Sequence, residues 1–369
     1  MTGGACNVGA IANYPLGSLI YFLVFIIGIV VANEAQASDR KKILVFIACV
    51  LALFFGLRTE KVGIDTVNYL RYYTETIQYG PNITASWYDT VYVYGMSLFR
   101  MENGFYLFNF IVSFATNLLI LLRLWDFKEQ VNLSLSFGLF YSFFIPVELN
   151  IARQLLAIAL VFWGSRYIFT HKVWLFLAFL LFAVGIHRSS LIAILLLCAL
   201  YFIKDEMSYS SRTVLSCVSL VMPVCVIAAP IILINTGYLT DYAKYFESND
   251  IKIGLMTILK LLVLFIGLSK HKLFQRFDVQ GKATVIFTIV GLAISIIGYL
   301  FDYMERIGYF FSIFDVVSLS YLARAQKDIG NAEYERMIWL LSLYVLFTAL
   351  SGNGQGILPY ESLWFHFTV

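Results

Sequence analysis

Apolar residues run along this chain in about twelve blocks separated by short polar segments. The blocks cover roughly 16–31, 43–57, 106–124, 133–147, 152–169 and 173–186, then 190–203, 213–234, 253–268, 283–301, 307–322 and 337–350. Most approach the ~20 helical residues that cross ~30 Å of hydrocarbon, and none shows the short alternating pattern of a membrane β-barrel strand. Backbone groups in lipid find no water, so each block is predicted to be a helix that satisfies its own hydrogen bonds. The expected fold is all-α: a polytopic membrane protein of about 12 transmembrane helices, built as a single integral membrane domain over 1–369. The largest polar interruption, 58–105, is predicted to be an external loop with one or two short helices lying near the membrane interface.

Composition agrees with that pattern. Sixty per cent of the 369 residues are apolar or aromatic and 13% are charged, where soluble domains carry about 25% charged residues. The net charge of +3 matters less than where the charges fall. With the N-terminus outside, sixteen Lys and Arg lie on one side, nine on the other, and Lys260 falls inside a block. The richer side is expected to be cytoplasmic, which places both termini outside. The first apolar stretch ends near Ala35-Gln36-Ala37, a sequence like a signal-peptidase site. Residues 1–33 hold no Lys or Arg, however, so the stretch is expected to remain as the first membrane helix. Cys49, Cys198, Cys217 and Cys225 sit inside apolar blocks and Cys6 outside, with no C-x-x-C spacing, so they read as small apolar fillers.

The candidate chemistry lies on the charge-poor side. Arg58, Arg153, Arg188 and Arg306 sit at or just inside the outer ends of four different blocks, where topology disfavours positive charge. Snorkelling to lipid headgroups explains any one of them; four on one face point to a shared anionic site. Two blocks and their turn share only 173–203, fewer than the ~40 residues two full crossings take at 1.5 Å per residue. The turn His187-Arg188-Ser189-Ser190 is therefore predicted to lie below the outer surface, on the wall or floor of an outward-facing bowl. Tyr69, Tyr72, Tyr73 and other aromatics of the 58–105 loop could stack on sugar faces or form an interfacial belt. No Walker loop, dinucleotide fingerprint or D-x-D pair occurs, and the four His have no metal spacing. Arginine forks match phosphate oxygens and keep their charge, so the residues point to a lipid-linked anion and to group transfer away from a diphosphate. His187 or Asp65 could serve as base near the attacking hydroxyl.

At these residues the chain resembles a known family, the EpsG-type members of the Wzy polysaccharide polymerases of O-antigen, capsule and exopolysaccharide assembly. The pieces are Leu57-Arg58 with Val62-Gly63-Ile64-Asp65-Thr66 and Tyr69, then Asn150-Ile151-Ala152-Arg153-Gln154 with Ala157. His187-Arg188-Ser189, Glu305-Arg306 with Tyr309, and Leu358-Pro359-Tyr360 follow in order. The resemblance implies a metal-independent glycosyltransferase of GT-C-like architecture in a bacterial inner membrane, with its site facing the periplasm or cell exterior and no cofactor. It would transfer a growing glycan from an undecaprenyl-diphosphate carrier to the non-reducing end of an incoming lipid-linked repeat unit. Donor and acceptor repeat units, the bilayer and a chain-length regulator protein are the partners implied, without nucleic acid. Arg58, Arg153 and Arg306 become diphosphate ligands, His187 a catalytic or positioning group, and Asp65 a base or an arginine's orienting partner. Arg188, Gln154, Tyr69, Tyr73, Tyr309, Glu305 and Lys260 complete the implied substrate site. An O-antigen ligase is the alternative within enzymes, and a lipid-linked oligosaccharide transporter the alternative outside them.

Overall fold

The computed structural model describes residues 9–81, 90–206, 255–269, 277–298 and 302–363. Among these residues every regular element is a helix, and one isolated β-bridge joins Arg58 to Ser362. Five helical segments are long and apolar enough to cross a membrane, and four shorter apolar helices accompany them. The block at 213–234 lies outside the described residues.

A short α1 (Gly9–Asn13) precedes α2 (Pro15–Ala37). Pro15 starts α2 where a missing N–H costs nothing. The helix outruns its apolar block and continues through Ala35-Gln36-Ala37. There Gln36 clamps the distant loop before Leu133, donating to the carbonyls of Lys128 at 2.6 Å and Val131 at 2.9 Å and accepting from the Leu133 N–H at 2.9 Å. α3 (Lys42–Gly56) packs closely on α6 (Gly104–Trp125). Gly56 permits the approach, since a Cβ there would stand 2.5 Å from the Phe110 Cα.

The blocks at 133–147 and 152–169 share one helical run, α7 (Leu133–Gly164), broken at Ile151 with φ −113° and ψ 51°. Asn132 caps its start by accepting from the N–H groups of Ser134 and Leu135. A straight helix of this length would extend ~48 Å. Instead Arg166, in α8 (Arg166–Phe169) just beyond α7, pairs at 3.4 Å with Asp126, ahead of its start. The chain therefore folds back at Ile151, and the two arms run side by side with the break at one end of the bundle. That end, the site end, also carries residues 57–66.

α9 (Val173–Ile186) returns to the site end and a 3₁₀ helix over Arg188–Glu206 leads away. The tighter coil differs from the α-helix expected at 190–203 and rises ~2.0 Å per residue. The shortfall in length therefore belongs to α9, whose 14 residues cover ~21 Å, with His187 one residue past its end. Further on, α10 (Leu255–Leu268), α11 (Val279–Gly298), α12 (Asp302–Ser312), α13 (Asp315–Asp328) and α14 (Ala332–Gly352) complete the bundle. The block at 307–322 thus breaks between α12 and α13.

Two short helices lie within 58–105: α4 (Thr66–Tyr79) and α5 (Thr90–Ser97). The chain entering α4 bends at Gly63, whose φ of +86° and position against the Leu149 carbonyl leave no room for a Cβ. Residues 353–363, after α14, run beside this bend. Gly63 N–H donates to the Gly356 carbonyl at 2.8 Å, Ile64 N–H to Gln355 at 3.2 Å, and Thr59 N–H to Glu361 at 3.0 Å. Lys61 pairs with Glu361 at 3.0 Å, and Tyr21 on α2 donates to the Ile357 carbonyl at 2.9 Å.

Candidate active site

At the site end the α7 break, α4, α9 and α12 enclose a cavity of about 240 Å³. One wall is a face of α4. Asp65, Asn68, Tyr69 and Tyr72 line it, and their spacing of three, four and seven residues sets them one above another. The start of the second α7 arm also lines the cavity, with Ile151, Arg153 and Gln154. The break turns this arm's N-terminal end toward the cavity, where the helix dipole favours an anion. His187, one residue past α9, and Arg306, on α12, close the ring.

Hydrogen bonds hold these pieces in register. The buried Gln154 amide donates to the Arg306 carbonyl at 2.6 Å, tying α7 to α12. Asp65 occupies the N-cap position of α4 without a side-chain capping bond. Its carboxylate instead faces Arg306 at 4.0 Å, with the guanidinium 52% and the carboxylate 30% exposed. The pair is therefore solvated and able to reorganise around a ligand. Two guanidiniums against one carboxylate give the cavity a positive balance suited to a phosphate group.

His187 feels both guanidiniums. Burial first, then the charges of Arg153 and Arg306, push its pKa down to about 3, where an unperturbed histidine titrates near 6.5. Between those values the unfolded chain takes up the proton and the folded one does not. Stability from this group is thus fully present above about pH 6.5 and is lost as pH falls toward 3. Thermal melting of the purified protein should show this decline, and His187→Gln should flatten it. An unchanged slope in the variant would contradict a buried, neutral imidazole.

Of the residues singled out from sequence, the structure gathers Asp65, Tyr69, Arg153, Gln154, His187 and Arg306 around one cavity. Others lie elsewhere. Arg58 is 1% exposed. Its Nη1 donates to the Phe55 carbonyl in the last turn of α3 and its Nε to the Val62 carbonyl at 3.3 Å. It closes the end of α3 and anchors the bend, rather than lining the cavity. Tyr73 donates to the Phe99 carbonyl. Tyr309 packs edge-on against Phe144, with centroids 6.4 Å apart, and Arg188 is exposed beside the lining. Lys260, on α10, pairs with Asp315 at 2.8 Å and lies over the Phe143 ring. Asp315 begins α13, beyond the break after α12, and neither it nor Lys260 lines the cavity. The Glu305 side chain lies outside what the structure describes. Glu148 is also buried, accepting from Ser113 and from Asn117 on α6.

Asn68 is not singled out by the sequence, and Tyr72 only as one of several aromatics that could stack on sugar faces or form a belt. Their signal was the spacing from Asp65 and Tyr69 on a single helical face. Two larger cavities, about 300 and 360 Å³, lie at the opposite end and share Arg324 and Asp328. Acids and bases intermix in them, with Lys327 paired to Glu335 at 3.0 Å, so neither has the cationic balance of the site-end cavity.

This arrangement defines a multi-pass helical membrane protein with a cationic cavity at one end of its bundle. The chain matches the EpsG family over residues 41–362 and belongs to it. The match spans every element that carries the cavity. Family membership implies a glycosyltransferase-type enzyme and suggests a polysaccharide polymerase or a related glycosyltransferase. No curated protein and no solved structure matches the chain.

Proposed function

We propose that this protein is a metal-independent polysaccharide polymerase. It transfers a growing glycan from an undecaprenyl-diphosphate carrier to the non-reducing end of an incoming lipid-linked repeat unit. The observation that carries this reading is one cavity lined by Asp65, Arg153 and Arg306, with the Asp65 carboxylate 4.0 Å from the Arg306 guanidinium.

In the proposed reaction the acceptor sugar hydroxyl gives its proton to the Asp65 carboxylate as its oxygen attacks the donor's anomeric carbon. The bond from that carbon to the diphosphate oxygen breaks, and the diphosphate leaves with the electron pair. Arg153 and Arg306 receive the developing negative charge, assisted by the N-terminal end of the second α7 arm. Tyr69 and Tyr72 offer ring faces to the acceptor sugar. The neutral His187 donates or accepts a hydrogen bond to orient a hydroxyl, because an imidazole with a pKa near 3 holds a proton poorly at neutral pH. This reading places the site end outward in a GT-C-like bundle of about twelve spans in a bacterial inner membrane, with both termini outside.

The test adds purified protein to an undecaprenyl-diphosphate-linked repeat unit and resolves the products by length. A ladder is expected, and it should persist in excess chelator because guanidiniums supply the positive charge. Loss of the ladder that a divalent cation restores would break the metal-independent mechanism. Transfer of one unit only, to a lipid A core acceptor, would identify a ligase instead.

A further inference from the structure

We propose that Asn150 and Gln355 form a positioning relay through which the segment after α14 sets the reactive carboxylate; the role in turnover rests on the polymerase reading above. Asn150 is the last residue before the α7 break, and it is 8% exposed. Its Oδ1 accepts the Asp65 backbone N–H at 2.9 Å, and its Nδ2 donates to the Gln355 Oε1. The order of these bonds is set from one end. A backbone N–H can only donate, so Asn150 must turn its oxygen to Asp65 and its NH₂ to Gln355, which must then offer an oxygen. The Gln355 and Gly356 carbonyls bind the Ile64 and Gly63 N–H groups of the same bend. Asp65 is thus fixed on its main chain while its carboxylate makes no capping bond to α4 and stays turned to Arg306. The same asparagine abuts the arm that carries Arg153 and Gln154. One side chain therefore ties the position of Asp65 to the arm that carries the Arg153 guanidinium.

The chemistry gives a discriminating pair of variants. Gln355→Glu keeps an acceptor for the Asn150 NH₂, whereas Gln355→Leu keeps similar bulk and removes it. Gln355→Leu is expected to lower kcat roughly tenfold or more with KM little changed, since misplacing a reacting group costs rate more than binding. Gln355→Glu should retain most of kcat. Introduced on top of Asp65→Asn, Gln355→Leu should cost nothing further from the residual turnover, because its effect passes through Asp65. A second measurement needs no activity: amide hydrogen exchange in residues 58–66 should quicken in Gln355→Leu and stay slow in Gln355→Glu. Equal kcat losses in the two variants, a further loss on the Asp65→Asn background, or unchanged exchange in Gln355→Leu would overturn the relay. Should the unaltered protein make no ladder, the polymerase reading fails and the exchange measurement alone decides whether the relay holds Asp65.

Discussion

Asp65→Asn is expected to bind the lipid-linked repeat unit and make almost no polymer. Loss of a general base typically costs about a hundredfold or more in rate, equivalent to about 2.7 kcal/mol in the barrier. The amide is nearly the same size as the carboxylate and should leave the α4 wall in place. It cannot take the acceptor's proton, and it gives up the charge facing Arg306 at 4.0 Å. His187→Gln serves as the comparison. Burial and two neighbouring guanidiniums already keep this imidazole neutral, so a glutamine that preserves hydrogen bonding should retain some turnover. Product ladders and binding of the lipid-linked unit, measured on both variants, decide between the two groups. A dead His187→Gln beside an active Asp65→Asn would transfer the base to His187 and leave Asp65 as the partner of Arg306.

Arg153→Lys is expected to lower polymerisation tenfold or more, which is about 1.4 kcal/mol in the barrier. Lysine keeps the charge but loses the planar fork that grips two phosphate oxygens at once. Arg153 lies near the start of the second α7 arm and lines the cavity with Asp65, and a shorter reach or a single-point contact there should hold the departing diphosphate poorly. Arg100→Lys, outside the cavity lining, is the control and should be nearly silent. Normal activity of Arg153→Lys at normal expression would mean that Arg153 makes no bidentate contact with the diphosphate.

The sequence by itself was enough to determine that the fold is all-helical. Apolar blocks of near-membrane length have few solutions for their backbone hydrogen bonds, and a helix is the one available to a short, unpaired segment. Helical spacing also places Asp65, Asn68, Tyr69 and Tyr72 on one face, although only the structure showed that this face lines the cavity. The short 173–186 block is a 14-residue α-helix with His187 one residue past its end, and a 3₁₀ coil follows in place of the α-helix expected there.

What tertiary structure alone decided was which arginines meet the cavity. Arg58, Arg153 and Arg306 look alike in sequence, each a cation at the end of an apolar block. A guanidinium there can reach a ligand, snorkel to headgroups or bond carbonyls left open at a helix end. The choice depends on which acceptors the fold places nearby. Arg58 finds the Phe55 and Val62 carbonyls and is buried on them, while Arg153 and Arg306 line a cavity. Lys260 was equally open until α13 brought Asp315 within 2.8 Å. The reversal at Ile151 and the relay through Gln355 join residues 85 and 205 positions apart. Such contacts leave no periodic trace in the chain, because they depend on how helices pack rather than on how each one forms.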